Sequence, residues 1–239
     1  MRYSDIYYLF FSPGEVTEVR AIGANGKNKA WEGFAGGGGV VYGYFDNAEA
    51  FGLAAESLER AKAPGIYFVL NPVNPELLAR ASNRLKAAGV KSPTTSDKDV
   101  MCLRWLYLDL DPVRPSGIST TDLELARVLK LRREIARWLV KKQGWPVDKM
   151  VPAMSGNGAH LLIRLPELAN DPENVQRIKS ALATIAHEFQ GPYVDIDLSV
   201  YNPARICKLY GTTARKGDST KTRPHRKSFI EKSFMEVKE

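Results

Sequence analysis

The sequence predicts an α+β fold in which residues 101–239 form a split βαβ sheet and residues 1–100 form an α/β module that packs against it. The first observation is the order of the elements between residues 103 and 198, which is β-α-β-β-α-β, as in ferredoxin-like sheets. The second is period-two alternation of side chains in the strands of that half. The third is a polar connector at residues 89–99, which places the domain boundary near residue 100.

In the first domain, short apolar runs predict three strands, and apolar residues at helical spacing predict two helices. The strands are expected at 15–22, 40–45 and 66–70, and the helices at 46–61 and 76–88. Asp46 is placed to cap the first helix. The glycine run at 36–39 lacks the Gly-Lys-Ser/Thr of a Walker loop, so we expect a hairpin turn there.

The second domain is predicted from the same signals. Its elements are the strand 103–110, the helix 121–142, the strands 151–154 and 159–165, the helix 172–189, and the strands 193–198 and 206–210. Gly144 and Pro146 end the long helix, and Asp171 caps the next one. The tight turn SGNG joins the two middle strands, and the segment 214–227 is basic and rich in turn residues.

Composition narrows the class of protein. The 239 residues are 44% apolar and 26% charged, which is typical of a globular chain and not of a disordered one. No apolar run approaches the ~18 residues that cross a bilayer, and no signal-peptide cleavage site follows the N-terminus, so we expect no membrane association. Two cysteines, three histidines and no C-x-x-C predict no zinc and a cytoplasmic location, with Cys102 and Cys207 as buried thiols. The net charge of +7 favours an anionic partner.

The segment RWLYLDLDP carries two carboxylates at the end of a strand. Alternation places the leucines on one face and Asp109 and Asp111 on the other, with Cα atoms about 6.6 Å apart. Oxygen ligands so placed suit a pair of hard divalent cations. The alternative is a pair of solvated aspartates that end the strand before Pro112.

A second pair of carboxylates occurs in YVDIDLSVY. Asp195 and Asp197 share the strand face opposite Val194 and Ile196. Because like charges repel unless a cation neutralises them, a second pair strengthens the case for a metal site. The alternative is an exposed edge strand.

Between the two pairs lies the sequence SGNGAH. Gly156 and Gly158 permit positive φ, so successive N–H groups can point at an anion, and Ser155 and Asn157 add side-chain donors. His160 stands on the polar face of the next strand, where an imidazole can hold a phosphate. A plain hairpin and a structural histidine are the alternatives.

Cations follow the second pair in NPARICKLYGTTARKG. Arg205 and Lys208 are interleaved with apolar residues, which anchor their backbone to a core. This placement favours a fixed phosphate clamp. A solvated charge run is the alternative.

Taken in order, these segments resemble the three motifs of the archaeo-eukaryotic primase (AEP) superfamily. They are DLD at 109–111, SGNGAH at 155–160 and DLSVYNPARICKLYGT at 197–212. The resemblance is closest to the primase-polymerases of prokaryotic replicons, phages and CRISPR-associated loci, and the third segment is also similar to that of eukaryotic primase-polymerase. It covers about residues 100–230, and the upstream sequence VTEVRAIG…YGYFDN…GIYFVLNPVNP is similar to the N-terminal part of the prokaryotic members.

The resemblance implies a catalytic palm on a sheet of the RNA-recognition-motif (RRM) type, which uses two divalent cations, Mg²⁺ or Mn²⁺. Its catalytic and metal-binding residues would be Asp109, Asp111 and Asp197, with Asp195 as a helper. Its nucleotide-binding residues would be Ser155, Gly156, Asn157, Gly158, His160, Arg205 and Lys208. Contacts with DNA are expected from Arg80, Arg84, Arg215, Arg223 and Arg226.

The implied activity is template-dependent synthesis and extension of DNA or RNA primers. The implied partners are single-stranded DNA with its primer, ribo- or deoxyribonucleoside triphosphates, and a helicase or C-terminal domain outside these residues. The chain is then either a minimal enzyme or a fragment of a longer one. Two other functions stay open: a metal-dependent nuclease or other nucleotidyltransferase, and an inactive module that binds single-stranded DNA in replication initiation.

Overall fold

The computed structural model describes residues 1–23, 39–88 and 93–231. The chain forms two compact units that alternate along the sequence. The first contains residues 1–102 and 203–215, and the second contains residues 103–202 and 216–239. Most of the predicted turn at 36–39 and the start of the predicted connector at 89–99 lie outside the described residues.

Within these ranges the backbone forms α-helices, strands and three short 3-10 turns. The helices are α1 (Tyr3–Phe10), α2 (Ala48–Arg60), α3 (Asp122–Gln143) and α4 (Pro172–Phe189). The strands are β1 (Thr17–Ile22), β2 (Val40–Phe45), β3 (Gly65–Val69), β4 (Lys86–Ala87), β5 (Cys102–Pro112), β6 (Met150–Met154), β7 (Ala159–Ala169), β8 (Val194–Ile196), β9 (Ile206–Lys208), β10 (Thr213–Ala214), β11 (Arg226–Lys227) and β12 (Phe229–Ile230). No helix in the described part of the chain has the length and apolar character to cross a membrane.

The first unit is built on an antiparallel sheet with the strand order β4-β2-β1-β3-β9. Aromatic side chains join α1 to this sheet and to α2. The ring of Phe10 lies 4.9 Å from that of Phe68, and the ring of Tyr7 lies 5.7 Å from that of Phe51. The Tyr7 hydroxyl donates to the carbonyl oxygen of Glu15, and burial raises the pKa of Tyr7 to about 12. The helix α1, which the sequence analysis did not predict, is therefore anchored by its aromatic residues.

The predicted helix at 76–88 is wrong. Only a 3-10 turn forms, at Pro75–Arg80. The chain then turns at Asn83, whose φ is +48°, and the Asn83 amide donates to the carbonyl of Tyr44 in β2. The residues that follow form β4 beside β2. Apolar spacing alone is compatible with a helix, but pairing with β2 takes the backbone hydrogen bonds of this segment.

The helix predicted at 46–61 is present as α2, but Asp46 is not its cap. The side chain of Asn47 accepts hydrogen bonds from the amides of Glu49 and Ala50. Asp46 instead accepts a hydrogen bond from the side chain of Asn83, at 2.7 Å. Both residue types can cap a helix, so the choice depends on where the chain leaves β2.

The second unit confirms the order β-α-β-β-α-β and the RRM-like α+β fold. Its sheet has the strand order β12-β6-β7-β5-β8, so the four strands of the split βαβ lie in the order second, third, first, fourth. The helix α3 follows β5 and packs on β6 and β7, and α4 follows β7. At one edge β12 joins β6, with Phe229 opposite Met154.

The helix α3 begins where the sequence predicts, and two arginines hold its first turn. The Thr121 side chain accepts from the amide of Glu124, and the Glu124 carboxylate accepts from the amide of Thr121. Arg223 donates to both carboxylate oxygens of Glu124 at 2.9 Å, and Arg226 donates to Asp122 at 2.6 Å. The basic segment near the end of the chain is therefore tied to the N-terminus of α3.

A buried ion pair joins α3 to the segment after β12. Arg132 is fully buried, donates to the carbonyl of Ala153 and lies 2.6 Å from a carboxylate oxygen of Glu231. A buried guanidinium is costly to keep in the fold unless it is paired. The strand β12 therefore pairs with β6, and the residue that follows it, Glu231, forms an ion pair with Arg132 of α3.

Replacing Glu124 with glutamine should destabilise the fold by about 1 kcal/mol at neutral pH, because its bidentate pair with Arg223 is largely shielded from solvent. The Arg223 guanidinium holds the pKa of Glu124 at about 2, below its ordinary value of 4.5. A lowered pKa adds stability that is present above about pH 4.5 and is lost as the pH falls toward 2. Urea unfolding at a series of acidic pH values measures this loss, which the variant should lack.

The matched control for that experiment is Glu188→Gln, at an exposed position in the last turn of α4. It should retain the stability of the wild type and the same dependence on acid. Equal losses of stability in the two variants would contradict the role given to the Glu124–Arg223 pair.

Candidate active site

The second unit places four carboxylates on one face of its sheet. The strand β5 carries Asp109 and Asp111, and β8 pairs with it antiparallel so that Asp195 lies opposite Asp111. The amide of Asp197 donates to the carbonyl of Asp109 at 3.0 Å, which continues the same register. Opposite residues of paired strands point to the same face. The two acidic segments that the sequence analysis found separately therefore meet here.

The carboxylate of Asp111 lies close to charges of both signs. Loss of hydration, together with the neighbouring charge of Asp109, raises the pKa of Asp111 above its ordinary value. The positive charges of Arg114 and Lys216 act in the opposite direction, and Nη1 of Arg114 lies 3.5 Å from Oδ1 of Asp111. A cation bound between the two carboxylates would relieve their repulsion.

His160 faces Asp109. Its residue surface is only 2% exposed, and its Nε2 lies 3.3 Å from Oδ1 of Asp109. The hydroxyl of Tyr107 lies 3.1 Å from the same nitrogen, and the two rings meet edge to face. The imidazole is therefore in contact with the Asp109 carboxylate, and its predicted contact with a nucleotide phosphate stays a prediction. Alternation along β5 places Tyr107 on the same face as the two aspartates, and this contact with His160 was not predicted from the sequence.

The SGNG turn lies directly against the end of β5. A Cβ atom added to Gly158 would come within 2.5 Å of the Leu110 carbonyl oxygen and within 2.8 Å of Oδ1 of Asp111. No side chain fits into that space, so glycine is required for the approach. Gly156 has a φ of +106°, which also favours glycine. The turn predicted to bind an anion therefore lies beside an acid predicted to bind a metal.

Several hydrogen-bonding groups of this turn already have partners inside the protein. The amide of Ser155 donates to the carbonyl of Gly158, whose own amide donates to the Ser155 hydroxyl. The Asn157 side-chain oxygen accepts from the amide of Thr120, and the Asn157 carbonyl accepts from the Thr120 hydroxyl. These bonds hold the turn in shape. Nucleotide binding by its four residues stays a prediction.

An open pocket of about 320 Å³ begins at Asp111. Its lining combines the carboxylates of Asp111 and Asp195 with the cations Arg114 and Lys216 and the amide of Gln190. Gln190 donates to the Asp195 carboxylate at 3.2 Å. The pocket thus offers acids that suit a metal beside cations that suit phosphates. Arg114 and Gln190 were not among the predicted site residues, although each lies within five residues of an acid, Arg114 after Asp111 and Gln190 before Asp195. The pairing of β5 with β8 brings these two segments to one pocket.

Arg205 and Lys208, which were predicted to clamp phosphates, belong to the first unit. Lys208 lies in β9 and is 5% exposed, with its ammonium donating to the carbonyl of Thr213. Loss of hydration lowers the pKa of Lys208 to about 7. The ammonium also lies 5.7 Å from the centre of the Tyr67 ring. The role of these two residues in phosphate binding stays a prediction.

Three of the five arginines predicted to bind DNA are paired with carboxylates. Arg223 and Arg226 hold the first turn of α3, as described above, and Arg215 forms a bidentate pair with a glutamate of α2. Arg80 donates to a tyrosine hydroxyl of β2, and Arg84 is exposed. DNA binding by these residues stays a prediction, but three of the guanidinium groups already have structural partners.

The carboxylates of the site offer only hard oxygen donors. In the described ranges, no three His, Cys, Asp or Glu side chains converge closely enough to hold a metal ion on their own. Mg²⁺ in nucleotide-dependent enzymes is usually bound by one or two carboxylates together with substrate phosphates. One or two of the carboxylates of Asp109, Asp111 and Asp197 would suit this kind of site, and their role as metal ligands stays a prediction.

No family model and no curated protein matches this sequence. Among solved structures, the chain is similar to the AEP domain of the primase-polymerase of cyanophage S-2L, with 13% identity and a TM-score of 0.49 over 99% of this chain and 91% of that one. It is also similar to the polymerase domain of Mycobacterium tuberculosis ligase D in complex with DNA, with 15% identity and a TM-score of 0.46 over 94% of this chain and 78% of that one.

Gly158→Ala should push the turn away from β5, since the added methyl group would overlap the Leu110 carbonyl and the Asp111 carboxylate. Overpacking of this kind costs about 1–3 kcal/mol, so the melting temperature should fall by several degrees. We also expect nucleotide incorporation to fall by about 100-fold, because a small displacement of reacting groups is costly. The control is Gly191→Ala, where the nearest atom to the new Cβ is 4.0 Å away. A similar response of the two variants would contradict the close approach.

Proposed function

We propose that the chain is a template-dependent primase-polymerase, which makes and extends DNA or RNA primers on single-stranded DNA by two-metal nucleotidyl transfer. The observation that carries the proposal is the pairing of β5 with β8, which sets Asp111 opposite Asp195 and Asp197 beside Asp109. The order of the motifs DLD, SGNGAH and DLSVY supports the same function by resemblance.

In this proposal Asp109, Asp111 and Asp197 hold two divalent cations, Mg²⁺ or Mn²⁺. When bound, these cations would activate the primer 3′-hydroxyl and neutralise charge on the nucleotide phosphates. His160 would hold the Asp109 carboxylate in one orientation, as the contact of 3.3 Å supports. An acid that is oriented before the substrate arrives lowers the cost of assembling the reactive arrangement.

The charge of the triphosphate also requires cations from the protein. Lys216 is exposed at the wall of the pocket next to Asp111, where its ammonium can reach a phosphate in solvent. The Arg114 side chain is only 5% exposed, and it donates to the carbonyls of Pro112 and Ile118, so its position is set in advance. These groups would stabilise pyrophosphate as it leaves, when the 3′-oxygen forms its bond to the α-phosphorus.

One assay separates this function from its alternatives. The protein is incubated with a single-stranded template, a labelled primer, nucleotides and Mg²⁺ or Mn²⁺. An extended primer supports a polymerase, a degraded template supports a nuclease, and a mobility shift alone supports a binding module. Omission of the primer then tests initiation, because only a primase makes product from a bare template.

Asp111→Asn should lower primer extension by about 100-fold or more, since it removes a charged oxygen donor at the reacting centre. In EDTA the variant should melt at the same temperature as the wild type or higher, because a repulsive charge beside Asp109 is gone. The matched control is Asp148→Asn, an exposed aspartate of the same unit. Extension at the wild-type rate by folded Asp111→Asn would contradict the metal assignment.

Lys216→Gln should raise the KM for the incoming nucleotide several-fold and change kcat less, because an exposed charge–phosphate contact is worth about 1 kcal/mol. Steady-state kinetics of single-nucleotide incorporation measure the two constants. The control is Lys221→Gln, which removes the same charge from an exposed position in the same segment. Equal changes in KM for the two variants would mean that Lys216 has no specific role.

A further inference from the structure

The helix α3 carries a row of basic side chains between Arg127 and Lys142. Its cations lie opposite the buried stripe of the helix, and a single acid, Glu134, stands among them. The cations are the half-buried Arg133 and the exposed Arg127, Lys130, Arg137, Lys141 and Lys142. This basic face therefore has a surplus of five positive charges, whereas the formal net charge of the whole chain is +7.

Little of this charge is neutralised by the protein. Lys130 lies 3.8 Å from Glu134, which is the spacing of a weak surface pair. Within the described ranges, the other cations of the last three turns form no salt bridge: Arg133, Arg137, Lys141 and Lys142. The arginines that the sequence analysis assigned to DNA differ in this respect, since three of them are paired with carboxylates.

The basic face begins near the candidate active site. The Arg127 guanidinium lies 4.6 Å from the centre of the Tyr193 ring, and Tyr193 is 61% exposed. The carbonyl of Tyr193 accepts from the amide of Val113, which lines the pocket that begins at Asp111. From Arg127 to Lys141 the helix rises about 21 Å along its axis. The row of cations therefore leads from the neighbourhood of the pocket to a distant end of the unit.

We propose that the basic face of α3 binds the phosphate backbone of the single-stranded DNA template, outside the active site. A DNA strand carries one phosphate per about 3.4 Å in a B-form helix, and fewer phosphates per unit length when it is extended. A row of cations about 21 Å long therefore matches several consecutive phosphates. The exposed ring of Tyr193 offers a base a surface for stacking at the end near the pocket. The inference rests on the proposed function in one respect, the choice of DNA as the polyanion.

The test is the double variant Arg137→Gln with Lys141→Gln. Glutamine keeps the helix propensity and removes two charges that lie one turn apart. Binding of a labelled single strand of about 20 nucleotides is measured by fluorescence anisotropy in EDTA over a range of salt concentrations. The slope of log Kd against log salt should decrease by about 1.4, since each lost phosphate contact with single-stranded DNA contributes about 0.7. Affinity near 0.1 M salt should fall by about tenfold.

The matched control is Arg60→Gln with Lys62→Gln, which removes two exposed charges from the first unit. This control should leave the slope nearly unchanged. The proposal would be overturned if the slope of the α3 variant did not change, or if it changed by the same amount in both variants. A competing duplex of the same length is a second arm. Loss of affinity for duplex alone would overturn the assignment to the single-stranded template. Melting temperatures confirm that both variants are folded.

Failure of this inference and failure of the proposed function give different results. If the inference alone is wrong, the wild type extends primers and the α3 variant binds DNA as the wild type does. If the proposed function alone is wrong, the wild type extends no primer, yet the α3 variant loses DNA affinity with the expected change in slope.

Discussion

The antiparallel pairing of β5 with β8 is the constraint on which the candidate site depends. Its register sets Leu110 opposite Ile196 and Asp111 opposite Asp195. Leu110 is fully buried and Ile196 is 2% exposed, so a slip of one residue would exchange apolar side chains for carboxylates in the core. The apolar residues that stabilise the sheet therefore also specify the position of the acids. The close approach of Gly158 to the same strand extends this constraint to the SGNG turn.

Pairing also decides which of the many cations are available to a ligand. Arg223 and Arg226 satisfy the acidic first turn of α3, and Arg215 satisfies a glutamate of α2, so these arginines contribute to the stability of the fold. The cations on the outer face of α3 have no carboxylate partners in the described ranges, apart from Lys130, and all but the half-buried Arg133 are exposed to solvent. From the sequence alone, the paired arginines and the cations of α3 are equally good candidates for binding an anion. Only the contacts in the structure distinguish the two groups.

The sequence by itself determined the elements whose causes are local. The helix α4 runs from Pro172 to Phe189 behind its Asp171 cap, and α3 begins at its Thr121 cap, as the residue types within one turn require. Alternation along β5 determined that Asp109 and Asp111 share a face, because that depends on nothing beyond the strand itself. The order of elements in the second half then restricted the sheet to the split βαβ type.

Only the tertiary structure decided the elements and contacts that form between residues far apart in the sequence. The segment 76–88 has apolar residues at helical spacing, but its backbone forms hydrogen bonds with β2. Arg223 lies in a basic run of the sequence, but its carboxylate partner, Glu124, is 99 residues away. Arg114 is close in sequence to Asp111, and Gln190 is close to Asp195, but the pairing of β5 with β8 brings these two segments to one pocket. Caps and alternation arise between residues a few positions apart, whereas strand pairing and long-range ion pairs are selected by burial over the whole chain.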